Sequence, residues 1–569
     1  MKKSPIANSK FIPYDLLLAP LVVIGCYYLV VFQLQHSEKT RNEHSVSRIS
    51  EKLVPLEALV APENPQSLNS ERRPLVVMQP MSFAAGGTDN FTNSAPSHSY
   101  SNETYQSLDH NKIHLVSEKP VSTFSIDVDG GGFANIRRLL NSGVLPNRDQ
   151  VRTEEMINYF SYDYPKPTSE NAPFTMVTDI TNSPWNRDSQ LLRIGLTGFT
   201  QEVAQLPHSN IVFLVDTSGS MGDENKLPLV KESLALLADN LRPEDKISLV
   251  TYAGYTQVVL SSISGAEKHT IQQAINYLGS GGSTAGESGL KLAYQQAEAG
   301  FIKGGNNRII MMTDGDFNVG LSGVNEMVEL VKTKRKNGVY LSTVGFGSGN
   351  YREDMMEQIA NHGNGIYFYI DSYQEAVKVF ERNLRSNLFT LAKDVKIQIE
   401  FNPAVVSEYR LVGYENRMLN RDDFNNDKVD AGDVGQGHSV TALYEITYQG
   451  DLGKIDSSRY TASDKANNEH ANEVAFIKLR YKPNGSEKSL LMENKLTKES
   501  IEYKDTDLSF KKAIIAASFG ELLRESKYIE RKFNYFQLMQ MISDLEVTDK
   551  EINELEDLIL LARLLNRNN

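Results

Sequence analysis

The stretch Ile211–Met221 reads IVFLVDTSGSM. Five apolar residues break abruptly into Asp216, Thr217, Ser218, Gly219 and Ser220, the pattern of a buried strand ending in a small polar turn. Two later stretches have the same character. Gly281-Gly282-Ser283-Thr284 forms a glycine-rich loop, and the apolar run Ile309 to Met312 leads into Thr313-Asp314-Gly315. Together Ser218, Ser220, Thr284, Asp216 and Asp314 supply hydroxyl and carboxylate oxygens. These are hard donors, suited to Mg²⁺ or another hard divalent cation and not to a soft metal. None of them is a nucleophile beside a base, so the pattern points to binding through a metal and not to turnover.

Carried by Asp216, Ser218, Ser220, Thr284 and Asp314, the chain resembles the von Willebrand factor type A domain proteins with a metal-ion-dependent adhesion site. The resemblance implies that Ser218 and Ser220 touch the metal directly. It also implies that Thr284 is a direct or water-mediated ligand, and that Asp216 and Asp314 act mostly through bound water. The implied cofactor is Mg²⁺ (or Mn²⁺ or Ca²⁺), and the implied partner is a protein that presents an Asp or Glu to the open position. An ion held by neutral hydroxyls keeps much of its positive charge and so attracts an anionic ligand.

Around these residues, strand-like and helix-like segments alternate. Strands are expected at Ile211–Val215, Lys246–Tyr252, Gln257–Leu260, Arg308–Met312, Val339–Phe346 and Gly365–Ile370. Helices are expected at Leu227–Leu237, Ile271–Leu278, Gly289–Ala299, Val324–Arg335 and Tyr373–Leu384. This is the α/β pattern of a largely parallel, Rossmann-like sheet covered on both faces. Ligands of such sheets bind beyond the carboxyl ends of strands, where the candidate ligands fall. Asp216 is expected in a loop outside the sheet core.

Lys2, Lys3 and Lys10 precede an apolar run from Leu16 to Phe32. A basic flank before such a run predicts a cytoplasmic amino terminus, with everything beyond it outside the cytoplasm. Residues 1–35 are therefore read as a signal/lipoprotein or transmembrane anchor. Cys26 is the sole cysteine and sits in a sequence resembling a lipobox, which makes it a candidate lipidation site. Against lipidation, Tyr27 to Phe32 stay apolar; an uncleaved anchor is the alternative, and either anchors stably. The expected location is the cell membrane or outer membrane, with the domains facing the periplasm or exterior.

Residues 36–115 are rich in Ser, Asn, Pro, Glu and Gln and read as a disordered linker. A leader module (116–205) follows, then the A domain (206–388), then a β-rich carboxy-terminal module with terminal helices (389–569). Both flanking modules resemble those of a group of uncharacterised bacterial envelope proteins. In the leader, Asp127 and Asp129 are expected to cap the turn into a helix, and Trp185 to anchor a core or a seam. The stretch Asp423–Asp430 has acidic spacing but is no EF-hand, because Lys428 replaces the required glycine and Val434 the required glutamate. It is expected to satisfy itself with backbone hydrogen bonds, a calcium site of another kind being the alternative.

The formal net charge of -13 over 569 residues argues against a nucleic-acid partner. No phosphate-binding loop, zinc-protease motif or hydrolase elbow occurs, so no enzyme is expected. The expected function is metal-dependent protein binding in adhesion or assembly. The alternative is a structural scaffold whose A domain binds its own flanking modules.

Overall fold

The computed structural model describes residues 102–315, 323–456, 470–547 and 549–566. The expected anchor, with Cys26, lies outside the described residues, as does nearly all of the expected linker. Among the described residues no helix is long and apolar enough to cross a membrane.

Residues 102–115, expected as disordered linker, are instead fixed to the body: the Thr104 amide donates to the Tyr351 carbonyl at 2.9 Å, and strand β1 (His114–Leu115) pairs with a carboxy-terminal strand. In chain order the leader then provides strand β2 (Val121–Ser125), helices α1 (Gly131–Asn141) and α2 (Thr153–Asn158), and strands β3 (Phe174–Asn182) and β4 (Gln190–Gly198). The A domain follows with β5 (Ser209–Asp216), α3 (Leu227–Asp239), β6 (Lys246–Tyr252), β7 (Thr256–Ser264), α4 (Lys268–Tyr277), α5 (Gly286–Ala299), β8 (Asn306–Thr313), α6 (Gly323–Lys336), β9 (Val339–Phe346), α7 (Glu353–His362) and β10 (Tyr367–Ile370). It closes with two short helices, α8 (Tyr373–Val377) and α9 (Leu384–Leu388). Where one helix is expected at Tyr373–Leu384, a π-helical segment at Lys378–Arg382 separates them, with the Asn383 amide donating to the Lys378 carbonyl.

The A-domain sheet runs β10-β9-β8-β5-β6-β7, parallel throughout except for the β6/β7 hairpin. Strand β5 is buried at every position. A strand covered on both faces by helices must be apolar on both faces, which explains its unbroken IVFLV run. Ile211, Phe213 and Val215 pack with α3, α4, α8 and α9; Val212 and Leu214 pack with α5, α6 and α7. Strand β5 pairs with β6 on one side and β8 on the other, so the chain reverses its winding there. A crevice opens at such a switch point, beyond the strand ends.

The carboxy-terminal part provides β11 (Thr390–Phe401), β12 (Val406–Val412), β13 (Gly432–Gly435), β14 (Ser439–Tyr448), β15 (Glu473–Pro483), β16 (Leu490–Thr497) and β17 (Ser500–Ile501). Helices α10 (Leu508–Leu523), α11 (Tyr535–Ser543) and α12 (Lys550–Asn566) end it. Leader and carboxy-terminal strands share both of the remaining sheets. One is ordered β1-β12-β14-β4-β3-β17; the other is β13-β11-β15-β16, with β2 also paired to β11. Phe124, Ile397 and Ile399 of one sheet and Ile194, Leu411 and Tyr444 of the other form a common core. The A domain is thus an insertion in a single β-sandwich closed by strands from both sides of it.

The outer face of the first sheet carries a helical layer. Helix α10 is apolar all round and buried nearly throughout, as the central member of a helical group must be. Asp507 caps it, accepting from the Phe510 amide at 2.7 Å, while its carboxylate also pairs with Arg193. Trp185 is 1% exposed and packs in this core beside α10, α11 and α12, which makes it the expected anchor.

Asp127 caps the turn ahead of α1, accepting from the Asp129 amide at 3.0 Å, but neither aspartate caps the helix itself, whose first turn has no side-chain cap. Both are buried and pair with Arg417, at 3.0 and 2.9 Å. Asp129 also accepts from the Tyr367 amide of β10 at 2.8 Å, tying the leader to the A domain. Short acidic residues before a helix suggest capping only where no buried guanidinium from a distant segment competes for them.

Candidate metal centre

Strand β5 delivers Asp216 as its last residue, 0% exposed. The carboxylate lies inside the strand end and not in an open loop, which corrects the expectation. Its Oδ1 accepts from the Ser218 amide at 2.9 Å and its Oδ2 from the Thr313 hydroxyl at 3.0 Å. Asp216 therefore shapes the turn that follows it and locks that turn to the end of β8. Burial pushes its carboxyl up to about 6, opposed by the hydrogen bonds from Ser218, while the Asp314 charge adds to the rise. The two acids sense each other, a repulsion that a bound cation would relieve.

After Asp216 the chain turns through a single 3-10 turn, Gly219–Gly222. This puts the Ser218 and Ser220 hydroxyls 3.0 Å apart, Ser218 buried and Ser220 half-buried. The glycine-rich loop crosses this turn. The Gly219 amide donates to the Gly282 carbonyl at 3.0 Å, and the Gly281 amide to the Thr217 carbonyl at 2.8 Å. Gly282 has φ +83, the left-handed region, and a Cβ there would meet the Gly254 amide nitrogen at 3.1 Å. Thr284 is half-buried two residues further along this loop.

Asp314 follows β8 and is 1% exposed. Gly315, at φ +87, lets the chain turn away against Tyr351 and Arg352; a Cβ there would lie 2.5 Å from the Arg352 amide nitrogen. Asp314 Oδ2 lies 3.0 Å from the Lys226 ammonium, which also donates to the Ser220 carbonyl at 3.0 Å. Asp216, Ser218, Ser220 and Asp314 are thus brought together at the switch point, and the loop of Thr284 abuts them. Lys226 is the member that the spacing of motifs does not reveal. It lies immediately before the helix expected from Leu227.

Among the described residues no group of three or more His, Cys, Asp or Glu is placed to hold a metal. Any cation here must take hydroxyls as well as the two carboxylates. The paired Ser218 and Ser220 hydroxyls beside buried acids fit that donor set.

The other sequence candidates resolve differently. In the Asp423–Asp430 loop, the carbonyls that calcium would need accept from lysine ammonium groups. Lys396 reaches the Asp423 and Asn426 carbonyls at 3.1 and 2.7 Å, and Lys482 the Asp427 carbonyl at 2.7 Å. Asp423 accepts from the Asn420 amide at 2.9 Å, and Lys428 donates its amide to Asn426, so the loop does satisfy itself.

This fold, with its acidic and hydroxylic crevice, defines a von Willebrand factor type A domain. The family model for that domain matches residues 210–401, a von Willebrand factor model matches 99–193, and the model of the YfbK carboxy-terminal region matches 386–566. The chain belongs to the family of the uncharacterised bacterial protein YfbK: it is 47% identical to the Escherichia coli K12 protein over 433 residues, 75% of each chain. Human inter-alpha-trypsin inhibitor heavy chain H3 is 29% identical over 173 residues, covering 29% of this chain and 19% of that one. Among solved structures, a von Willebrand factor type A protein from Catenulispora acidiphila is 15% identical, covering 71% of this chain and 98% of that one at TM-score 0.38. Homology to von Willebrand factor type A domains supports a general protein-interaction role.

Proposed function

We propose that this protein is an envelope-anchored binding protein that captures a partner protein through a divalent metal in its A domain. The observation that carries the reading is the convergence of Asp216, Ser218, Ser220 and Asp314 at one crevice, with the Ser hydroxyls 3.0 Å apart. Mg²⁺ is the expected ion, with Mn²⁺ or Ca²⁺ as substitutes, and Thr284 completes the donor set. When bound, the ion supplies a Lewis-acidic position that takes a carboxylate from the partner. Ser218 and Ser220 orient toward it, and Asp216 and Asp314 balance its charge. The A domain, residues 206–388, is presented by the sandwich formed from 116–205 and 389–569 together with β1, and the residues before 102 anchor and tether it outside the cytoplasm. The basic flank, the apolar run and kinship with a bacterial protein support that location.

The scaffold alternative has the metal site engaged by the chain's own flanks. The flanks grip the A domain through Arg137 on Glu375, Arg152 on Glu353 and Arg417 on Asn361. None of these residues is a candidate ligand, which favours an external partner.

The test is crosslinking with a membrane-impermeant reagent on cells with a permeabilised outer membrane, in Mg²⁺ or in chelator. A partner captured only with Mg²⁺ is expected. Equal capture in both, or loss of the partner only on flank substitution, would overturn the metal-dependent reading.

A further inference from the structure

Lys226 is not one of the ligands that the motif supplies, yet its ammonium lies inside the centre. It sits 3.0 Å from Asp314 Oδ2 and 3.0 Å from the Ser220 carbonyl oxygen. Its side chain is 7% exposed, and a more distant contact, at 3.7 Å, goes to the exposed Asp223. A buried ammonium is costly unless it is paired, so this placement is specified and not incidental.

The path of the side chain is specified as well. Its methylenes run over Gly347 at the end of β9. A Cβ on Gly347 would lie 2.4 Å from Lys226 Cε and 2.5 Å from Cγ, and Gly347 has φ +72. Only glycine combines that backbone conformation with an open lane for the lysine stem. One loop therefore supplies the donor, a second the carboxylate and a third the channel.

The charges then have a consequence for binding. Asp216 and Asp314 bring two negative charges and Lys226 one positive. A divalent ion added to these leaves one positive charge over, which an arriving carboxylate neutralises. Without Lys226 the same ion would be neutralised by the two aspartates alone, and a partner carboxylate would have no net charge to meet. Opposite charges in a partly desolvated site attract far more strongly than in water, and like charges repel accordingly.

Resting on the metal reading above, we propose that Lys226 is a tethered counter-cation. It holds the centre together without metal, opposes metal entry, and makes retention of the metal depend on an acidic partner. Ion and partner then bind as a linked pair, each strengthening the other.

The test uses the full chain in detergent, wild type and Lys226→Met, titrated calorimetrically with Mn²⁺ at low ionic strength, with and without acetate. Methionine keeps the length of the stem and deletes the charge. Mn²⁺ affinity is expected to rise at least tenfold in Lys226→Met, the gain from acetate to shrink, and the thermal midpoint in chelator to fall. Mn²⁺ affinity that is equal in the two proteins, or weaker in the variant, overturns the inference while leaving the metal reading intact. No Mn²⁺ binding by either protein overturns both. Should Lys226→Met fail to fold by near-ultraviolet circular dichroism, Lys226→Gln keeps a donor for Asp314 without the charge. The same rise in affinity is expected of it, and its absence there is equally decisive.

Discussion

Arg152 Nε lies 3.3 Å from Glu353 Oε1, with the two side chains only 3% and 4% exposed. The pair joins the leader to the first turn of α7 in the A domain. It belongs to a larger buried set in which carboxylates outnumber guanidiniums: Asp127, Asp129, Glu154, Glu155, Glu357 and Glu415 lie around it, with Arg417 and Arg524. Burial pushes Glu353 up to about 7, opposed by Arg152 and reinforced by Glu357. Burial likewise pushes Glu154 up to about 7, with the Glu415 and Asp127 charges adding to it.

A pH dependence follows from that set. A carboxyl whose pKa is raised by folding favours the folded state while protonated and opposes it once ionised. The contribution is complete below about 4.5, the ordinary value, and is lost as pH rises through about 7. The thermal midpoint of the folded body is therefore expected to fall between pH 5.5 and pH 8. Glu353→Gln, neutral at every pH, should flatten that fall. A midpoint that is constant or rising over the range would contradict the assignment.

Asp216→Ala is expected to abolish metal binding and also to lower stability by roughly 1–3 kcal/mol, because the buried Ser218 amide and Thr313 hydroxyl lose their acceptor. Asp216→Asn retains an acceptor oxygen and should lose metal with a smaller drop in melting temperature. Calorimetric metal titration and thermal denaturation of both variants check this. Full metal affinity in Asp216→Asn would show that the carboxylate charge is not used.

Thr284→Val deletes one hydroxyl and keeps the β-branched shape in a half-buried loop. Stability should change by about 0.5 kcal/mol or less, the usual range for loop positions. The increase in Mg²⁺ affinity caused by an aspartate-bearing peptide should shrink several-fold. If the peptide strengthens Mg²⁺ binding equally in variant and wild type, Thr284 serves loop packing alone.

Arg410 probes the sandwich. It is 1% exposed and pairs with Glu445 at 3.0 Å and Glu521 at 3.1 Å. Arg410→Ala leaves two buried carboxylates unpaired, and a loss of about 3–5 kcal/mol is expected. Adding Glu445→Gln and Glu521→Gln should recover a large part of it in denaturant titrations. A triple variant no more stable than the single one would mean that Arg410 acts through packing.

Strands Lys246–Tyr252 and Val339–Phe346 were legible in the chain alone, as was the clustering of Asp216, Ser218, Ser220 and Asp314 beyond the strand ends. The reason is local: an apolar run with both faces buried announces a central parallel strand, and the small polar residues ending it announce the turn beyond the strand end. Helix ends were legible only to within a few residues, as α4 begins at Lys268 and not at Ile271. The short helices after β10 depend on a π-turn that no periodicity marks.

What only the tertiary structure decided are pairings between distant segments. Strand β4 of the leader lies beside β14, so the flanks form one sandwich and not two modules in series. Hydrogen bonding between strands carries no sequence signal of which strand is the neighbour; the alternation of apolar residues states which face is buried, and nothing about against what. The same holds for charge. Asp127 and Asp129 read as helix caps until Arg417, nearly three hundred residues on, takes both. Lys226, just before the helix expected from Leu227, carries no signal until folding brings its ammonium to Asp314 beyond the end of β8. An ion pair is a property of positions in space, and those positions exist only once the sheet is assembled.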